Sequence, residues 1–151
     1  MAAHRRTRVF VSACLLGRAC RYDGSDQHRP DLEGMLLDSD VEAVPFCPEE
    51  AGGLGTPRPA AQIDGGSGED VLDGRARVID EHGKDVTGAY LDGAEQAVAS
   101  AQHSGCEVAY LKERSPSCGS ALVHTKKGLV AGSGVTAAML KRAGIPTISV
   151  D

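Results

Sequence analysis

Short apolar runs alternate with longer amphipathic stretches along this chain. Four short runs that carry Val, Ile, Phe or Tyr predict strands, and they span 8–12, 42–46, 107–111 and 147–150. Three longer stretches have apolar residues on one helical face and predict helices, and they span 32–37, 135–143 and a segment from Asp85 or Thr87 to His103. A strand, a helix and a strand within about forty residues form a βαβ unit with parallel strands. We therefore predict an α/β protein with a Rossmann-like three-layer fold and a mainly parallel sheet, in a single domain over residues 1–151.

The pattern between these elements is less regular. The segment 47–74 is rich in Gly and Pro, which predicts a long loop that is either functional or mobile. The segment 75–79 alternates charged and apolar residues and predicts an exposed strand. Two further apolar runs, 121–124 and 129–131, flank a Thr-Lys-Lys-Gly turn and predict a β-hairpin.

Charge and composition exclude several classes of protein. The net charge is -5 and the aromatic content is 3%. The chain therefore lacks the cationic surface of a phosphate-backbone binder and the aromatic platform that stacks single-stranded bases. No segment approaches the roughly 18 apolar residues of a membrane span, and the basic first six residues lead into no signal region. We expect a cytoplasmic protein that binds neither nucleic acid nor a membrane.

Five cysteines supply the candidate chemistry. Their odd number and the lack of a Cys-x-x-Cys pair argue against a disulfide framework and against ribbon or finger zinc sites. Cys14, Cys47 and Cys118 each follow the carboxyl end of a predicted strand, and parallel strands end at a common edge of the sheet. We expect these three thiols to lie together, with Cys20 able to approach them and Cys106 at the opposite edge.

Three clustered cysteines have two interpretations. Soft thiolate ligands select iron–sulfur clusters, zinc or copper, and a cubane cluster with only three cysteine ligands leaves one iron free to bind substrate. Free cysteines are also common as small hydrophobic residues of protein cores. The spacing alone leaves both interpretations open.

Several longer motifs resemble those of a known family. In chain order they are VSACLLG (11–17), CRYDG (20–24), CPE (47–49), GGL (52–54), TPRP (56–59), RSPSCG (114–119) and GVTAA (134–138). This set, which covers nearly the whole chain, is similar to the DUF523 family, whose characterised members include thiouracil desulfidase. The resemblance implies a [4Fe-4S] cluster, held by Cys14, Cys47 and Cys118, that removes sulfur from a thiolated pyrimidine by non-redox C–S cleavage and releases hydrosulfide. One departure is Gln62, where many relatives have Glu, so no acid/base role is expected at this position.

Such a reaction needs a base for the attacking water and a proton donor for the ring. Glu49, two residues after Cys47, is the first candidate, although a carboxylate in a first helical turn also interacts favourably with the helix dipole. Ser115 and Ser117 flank a proline before Cys118 and are candidates for proton relay or ring binding. Serines at such positions also stabilise turns.

Three further residues are candidates for substrate contact: Arg58, Ser12 and Asp23. Prolines on both sides of Arg58 restrict how its guanidinium is presented. Asp23 could instead pair with Arg21 and stabilise its loop, although an exposed pair contributes only about 0–1 kcal/mol. The implied substrate is a free thiobase or a thionucleoside.

Two rival functions use the same thiols. A non-catalytic iron–sulfur or zinc-binding redox sensor or carrier would use Cys20 as a fourth ligand, because electron-transfer clusters normally have four cysteines. A zinc hydrolase would use the three thiolates and keep one open coordination position.

Overall fold

The computed structural model describes residues 7–151, which form eight strands and five helices. The strands are β1 (Thr7–Ser12), β2 (Val41–Phe46), β3 (Ala61–Asp64), β4 (Arg77–Asp80), β5 (Cys106–Lys112), β6 (Leu122–Thr125), β7 (Gly128–Ala131) and β8 (Thr147–Val150). The helices are α1 (Pro30–Asp38), α2 (Pro48–Ala51), α3 (Gly68–Leu72), α4 (Thr87–His103) and α5 (Val135–Arg142). None of these helices is both long enough and apolar enough to cross a membrane.

The first sheet is parallel throughout and has the strand order β2-β1-β5-β8. Ser12 pairs with Phe46 and Val11 pairs with Tyr110, so β1, β2 and β5 end at the same edge. The predicted α/β class, the βαβ unit formed by β1, α1 and β2, and the parallel sheet are confirmed. The predicted helices are confirmed as α1, α4 and α5.

A second four-stranded sheet, with the order β4-β3-β6-β7, was not predicted. Its two outer pairs are antiparallel, and β3 joins β6 in parallel through Ile63 and Thr125. The predicted hairpin is confirmed as β6 and β7. The prediction of one long loop over 47–74 is wrong, because this segment contains α2, β3 and α3. Elements this short carry too little periodicity to be recognised in a sequence.

The strand predicted at 75–79 is β4, but it is not exposed. Val78 is fully buried and Ile79 is nearly so, whereas Arg77 faces solvent. Val78 packs with Tyr90 of α4 in the core beneath the second sheet. The sequence shows the alternation of this strand correctly, but it cannot show that a helix covers its apolar face.

Helix α4 joins the two sheets. One face of the first sheet, which includes Val11, packs against Leu36 of α1. Its opposite face, which includes Phe10, packs against Ala97 near the end of α4. The first half of α4 contributes Tyr90 to the core of the second sheet. The first sheet therefore has helices on both faces, and the second sheet lies beyond α4.

The turn at α2 packs directly against the backbone of α4. A Cβ at Gly93 would lie 2.0 Å from the carbonyl oxygen of Pro48, and a Cβ at Gly52 would lie 2.1 Å from that of Ala89. Real Cβ atoms do not approach an oxygen so closely, so this contact requires glycine on both elements. It holds the segment after Cys47 against α4.

Candidate metal centre

A cavity of about 900 Å³ opens at the edge where β1, β2 and β5 end. The second sheet contributes part of its wall through Gln62, Ile79 and His124. Four thiols line this cavity, those of Cys14, Cys20, Cys47 and Cys118. Cys106, the first residue of β5, lies at the other end of that strand and is not part of the cavity wall, as its position in the sequence predicts.

Each predicted ligand lies in a turn that follows its strand. Cys14 is in the 3-10 turn Ala13–Leu16, which directly follows β1. Cys47 follows β2 and is the N-cap residue of α2. Cys118 lies in the loop between β5 and β6 and is 5% exposed. The structure therefore brings to one cavity the three thiols that the strand pattern predicted to lie together.

Cys20 lies between two of these thiols. Its side chain is hydrogen-bonded to the side chains of Cys14 and Cys47, and the Cys47 Sγ also lies 3.7 Å from the Cys20 carbonyl oxygen. Ligand atoms of Cys20, Cys47 and Glu50 all lie within 4.8 Å of one another. The loop that carries Cys20 thus approaches the site, as the sequence analysis allowed.

The surroundings of these thiols favour their protonated form. The hydrogen bond with Cys14 raises the pKa of Cys20 to about 11. The hydrogen bond with Cys20, together with burial, raises the pKa of Cys47. Burial raises the pKa of Cys118 to about 12. Thiolates at this place need a positive charge close by, and a bound metal supplies one.

Glu49 is held by two residues through one of its oxygens. The Nε and Nη2 atoms of Arg58 both lie 3.1 Å from Glu49 Oε2, and the Tyr90 hydroxyl donates to the same oxygen at 2.9 Å. Arg58 Nη1 donates to the Gly55 carbonyl oxygen at 2.9 Å. The Arg58 side chain is only 4% exposed. Arg58 therefore fixes the Glu49 carboxylate and the loop at Gly55, besides lining the cavity.

The neighbouring Glu50 is held by a different pair of residues. Its Oε2 accepts a hydrogen bond from the Thr56 hydroxyl at 2.6 Å, and its Oε1 lies 2.9 Å from Arg18 Nη2. Successive carboxylates in the first turn of α2 thus face different partners. Glu49 lines the cavity, whereas Glu50 does not.

A buried carboxylate closes the loop that carries Cys118. Glu113 Oε1 accepts hydrogen bonds from the backbone N–H groups of Ser120, Ala121 and Leu122, at 2.8, 3.0 and 3.0 Å. Burial alone would raise the pKa of Glu113, but these N–H donors lower it to about 2. Glu113 therefore stays ionised and ties both ends of the loop together.

The two serines of this loop have different positions. The Ser115 hydroxyl oxygen accepts hydrogen bonds from the N–H groups of Ser117 and Cys118, both at 3.1 Å, and Ser115 lines the cavity. Ser117 is 1% exposed, its hydroxyl lies 2.8 Å from the Thr136 hydroxyl, and it is not part of the cavity wall. A Cβ at Gly134 would lie 2.5 Å from the Ser117 carbonyl oxygen, which explains the glycine that opens the GVTAA motif.

The two remaining candidates for substrate contact also differ. Ser12 is buried and lines the cavity, where its hydroxyl accepts a hydrogen bond from the Lys112 N–H at 3.1 Å and contacts the Cys118 thiol. Asp23 is exposed, does not line the cavity and accepts hydrogen bonds from the N–H and hydroxyl of Ser25. Those hydrogen bonds lower the pKa of Asp23. Asp23 therefore stabilises the turn at Ser25, and its contact with substrate stays a prediction.

A family model described as 2-thiouracil desulfurase matches residues 9–151. The chain belongs to this family. The resemblance inferred from the motifs is thereby confirmed. The chain is also 45% identical over 146 residues to the uncharacterised protein YbbK of Bacillus subtilis (strain 168), which covers 93% of this chain and 94% of that protein.

A solved structure of the [4Fe-4S]-dependent thiouracil desulfidase TudS has the same fold. The TM-score is 0.79 and the identity 40%, and the similarity covers 95% of this chain and 91% of that one. The four cysteines on the cavity wall are therefore the candidate ligands for an iron–sulfur cluster.

Two residues of this site were missed by the sequence analysis. Tyr90 lies on the apolar face of the helix predicted to end at His103, and nothing near it in the sequence points to Glu49, 41 residues away. Glu113 follows a predicted strand, and the motifs around it in the sequence give it no partner. The signal that could have found Glu113 is the segment 120–122, whose three consecutive N–H groups converge on one acceptor.

Proposed function

We propose that this protein is a [4Fe-4S]-dependent desulfidase that removes sulfur from a thiolated pyrimidine of the 2-thiouracil type and releases hydrosulfide. The observation that carries the proposal is the convergence of Cys14, Cys47 and Cys118 on one cavity, in a chain that belongs to the 2-thiouracil desulfurase family. A cluster held by these three thiolates would leave one iron without a protein ligand, and that iron would supply Lewis-acid chemistry toward the substrate sulfur.

The donor set fits such a cluster. The thiols are soft ligands, and those of Cys14 and Cys118 are buried in a cavity with room for both a cluster and a small substrate. The hydrogen bond with Cys20, together with burial, raises the pKa of Cys47, and burial raises the pKa of Cys118, so their thiolates need the positive charge that a bound metal centre would supply. We assign Cys14, Cys47 and Cys118 as the ligands, because each follows the carboxyl end of a strand in the same parallel sheet.

Glu49 is the proposed base for the attacking water. Arg58 and Tyr90 both bind its Oε2, so the carboxylate has a fixed orientation on the cavity wall. No hydrogen bond to Oε1 occurs among the contacts of residues 7–151, and this oxygen is not buried. A fixed carboxylate with one oxygen unoccupied is suited to accept a proton from water. Arg58 acts through Glu49 and is therefore proposed as a positioning residue.

Ser115 is the proposed hydroxyl contact of the substrate. Its oxygen already accepts two backbone N–H groups, so its hydrogen remains free to be donated to a ring nitrogen or to the exocyclic atom. Ser12, also on the wall, is a second candidate contact. Ser117 lies behind the wall against Thr136, and we propose that it positions Cys118 and does not react.

The proposed substrate is a small molecule, and the proposed location is the cytoplasm. All five cysteines are free in the structure, which suits a reducing compartment. Nothing in the composition provides a nucleic-acid surface, since the net charge is -5.

The test is anaerobic reconstitution with iron and sulfide, followed by incubation with 2-thiouracil and measurement of released sulfide. Wild-type protein should bind about four irons and four sulfides per chain, as a cubane cluster requires, and should release sulfide. The Cys118→Ser variant should lose both properties. The matched control is Cys106→Ser, because Cys106 lies outside the cavity and should change neither. A fully loaded protein that releases no sulfide from any thiolated pyrimidine would contradict the proposal.

A second candidate function is a cluster carrier with four cysteine ligands. It is favoured by the hydrogen bonds from Cys20 to Cys14 and Cys47. The Cys20→Ser variant separates the two functions. A desulfidase with three ligands keeps its cluster and its turnover in this variant, whereas a four-cysteine carrier loses the cluster.

A further inference from the structure

We propose that the protein binds one zinc ion through Cys20, Cys47 and Glu50 when it carries no cluster. The ligand atoms of these residues already lie within 4.8 Å of one another. Two sulfur ligands of one zinc ion lie no more than about 4.6 Å apart, since each Zn–S bond is about 2.3 Å long. The three residues therefore approach the spacing of a mononuclear site before any ion binds.

The buried oxygen of Glu50 provides an independent observation. Glu50 Oε1 is buried, and no hydrogen bond reaches it from any residue within 7–151. Arg18 Nη2 lies 2.9 Å from it but is not aligned as a hydrogen-bond donor. The Arg18 side chain is largely exposed, so a cation in contact with Cys20 and Cys47 would give this buried oxygen a second and buried charge partner.

The charges and ligand types favour zinc. Two thiolates and one carboxylate carry three negative charges, which a divalent ion and the adjacent Arg18 offset. Zinc accepts both sulfur and carboxylate ligands, and sites with three protein ligands keep a water in the fourth position. Cys118 is not one of the residues within reach of this single ion. The protein therefore offers two alternative metal sites that share Cys47, and the zinc site extends from the cavity wall to Glu50 behind it.

The shared ligand makes the two metals exclude each other. A zinc ion on Cys47 would prevent the cluster from using that thiolate, so zinc should inhibit cluster assembly. This consequence rests on the proposed function, whereas zinc binding itself does not. Zinc binding and the proposed desulfidase function can fail separately, because zinc affinity is measured on protein without iron.

The test begins with full-length, cluster-free protein under anaerobic conditions. Titration with Co²⁺ reports thiolate ligation through its charge-transfer absorption, and competition with a zinc chelator gives the zinc affinity. One equivalent should bind. The Cys20→Ser variant should bind zinc at least about 100-fold more weakly, since losing a residue that merely hydrogen-bonds a metal ligand already costs about 10–100-fold. The Glu50→Gln variant should bind it at least about 10-fold more weakly and should keep the thiolate absorption.

Cys118→Ser is the matched control, because it should lose the cluster and retain zinc. Cys20→Ser should lose tight zinc binding and retain the cluster. Its iron incorporation should be normal and should no longer be inhibited by one equivalent of zinc. The proposal is overturned if Cys20→Ser binds zinc as tightly as wild type. It is also overturned if zinc affinity falls in Cys118→Ser but not in Glu50→Gln, since zinc would then use the three cysteines assigned to the cluster.

Discussion

Replacement of Arg58 by methionine tests whether this residue holds Glu49 or contacts substrate directly. The side chain of Arg58 is 4% exposed and that of Glu49 is 15% exposed. Arg58 contacts the Glu49 Oε2 atom through both Nε and Nη2 at 3.1 Å. Methionine keeps much of the apolar stem but removes both contacts. The Glu49 carboxylate would then be left in its place with only the Tyr90 hydroxyl as a donor.

The expected loss of stability follows from this burial. Removing one partner of a buried ion pair typically costs about 3–5 kcal/mol, because the other charge is left without compensation. Arg58→Met should therefore lower the free energy of unfolding of the cluster-free protein by about 3 kcal/mol or more. Urea denaturation measures this quantity, provided that the m-value is unchanged. The double variant Glu49→Gln/Arg58→Met removes the stranded charge and should recover part of the loss.

A result of the opposite kind would refute this reasoning. If Arg58 mainly contacts substrate, Arg58→Met should leave the free energy of unfolding within about 0.5 kcal/mol of wild type, as substitutions outside special contacts do. The KM for 2-thiouracil would then rise while kcat stayed constant, which is the signature of lost uniform binding. If Glu49→Gln/Arg58→Met is no more stable than Arg58→Met, the uncompensated charge of Glu49 is not the cause of the loss, which would also contradict the reasoning.

Three further predictions concern the supports of the site. Glu113→Gln should remove an acid dependence of stability: the pKa of Glu113 is lowered from 4.5 to about 2, so its contribution is complete above the unfolded value and is lost as pH falls through about 2. In urea denaturation, the free energies of unfolding of wild type and Glu113→Gln should therefore become more similar as the pH falls from 6 to about 3. A difference that stays constant over this range would contradict the low pKa of Glu113. Gly93→Ala should destabilise the protein by about 1–3 kcal/mol through overpacking against α2. Gly88 lies in the same helix, and a Cβ at this position would meet no atom within 4 Å, so Gly88→Ala should stabilise the protein by about 0.5–1 kcal/mol. Equal melting temperatures of the two variants would refute the close contact at Gly93. Ser117→Ala should lower stability by about 1–3 kcal/mol by leaving the buried Thr136 hydroxyl without its partner, with the KM for 2-thiouracil unchanged; a higher KM at unchanged stability would instead place Ser117 in contact with substrate.

The first sheet and its cysteines could be predicted because their signals are local. Strand runs with apolar residues at 8–12 and 42–46 define β1 and β2, and a helix between them forces the strands to be parallel. Parallel strands present their carboxyl ends at one edge, so Cys14 and Cys47 had to lie at the same place. The position of Cys118 after β5 follows from the same rule.

The second sheet could not be predicted from such signals. Its strands are four residues long, which is too short to distinguish an alternating strand from an irregular segment. Their pairing joins β3 to β6, about sixty residues apart in the chain, through a single parallel bridge between Ile63 and Thr125. Packing against α3, α4 and α5 buries this sheet, because Val71, Tyr90 and Val135 lie in one core with its strands.

The sequence by itself determined which thiols meet, and the tertiary structure decided what surrounds them. Cys14, Cys47 and Cys118 are brought together by strand direction, which local periodicity encodes. Glu49 meets Tyr90 only because α2 and α4 touch at glycines, a contact between surfaces distant in the chain. Cys20 approaches Cys47 because of the path of a loop, and no periodic pattern specifies that path. Contacts of this kind depend on the packing of whole elements, and packing is a property of the folded chain.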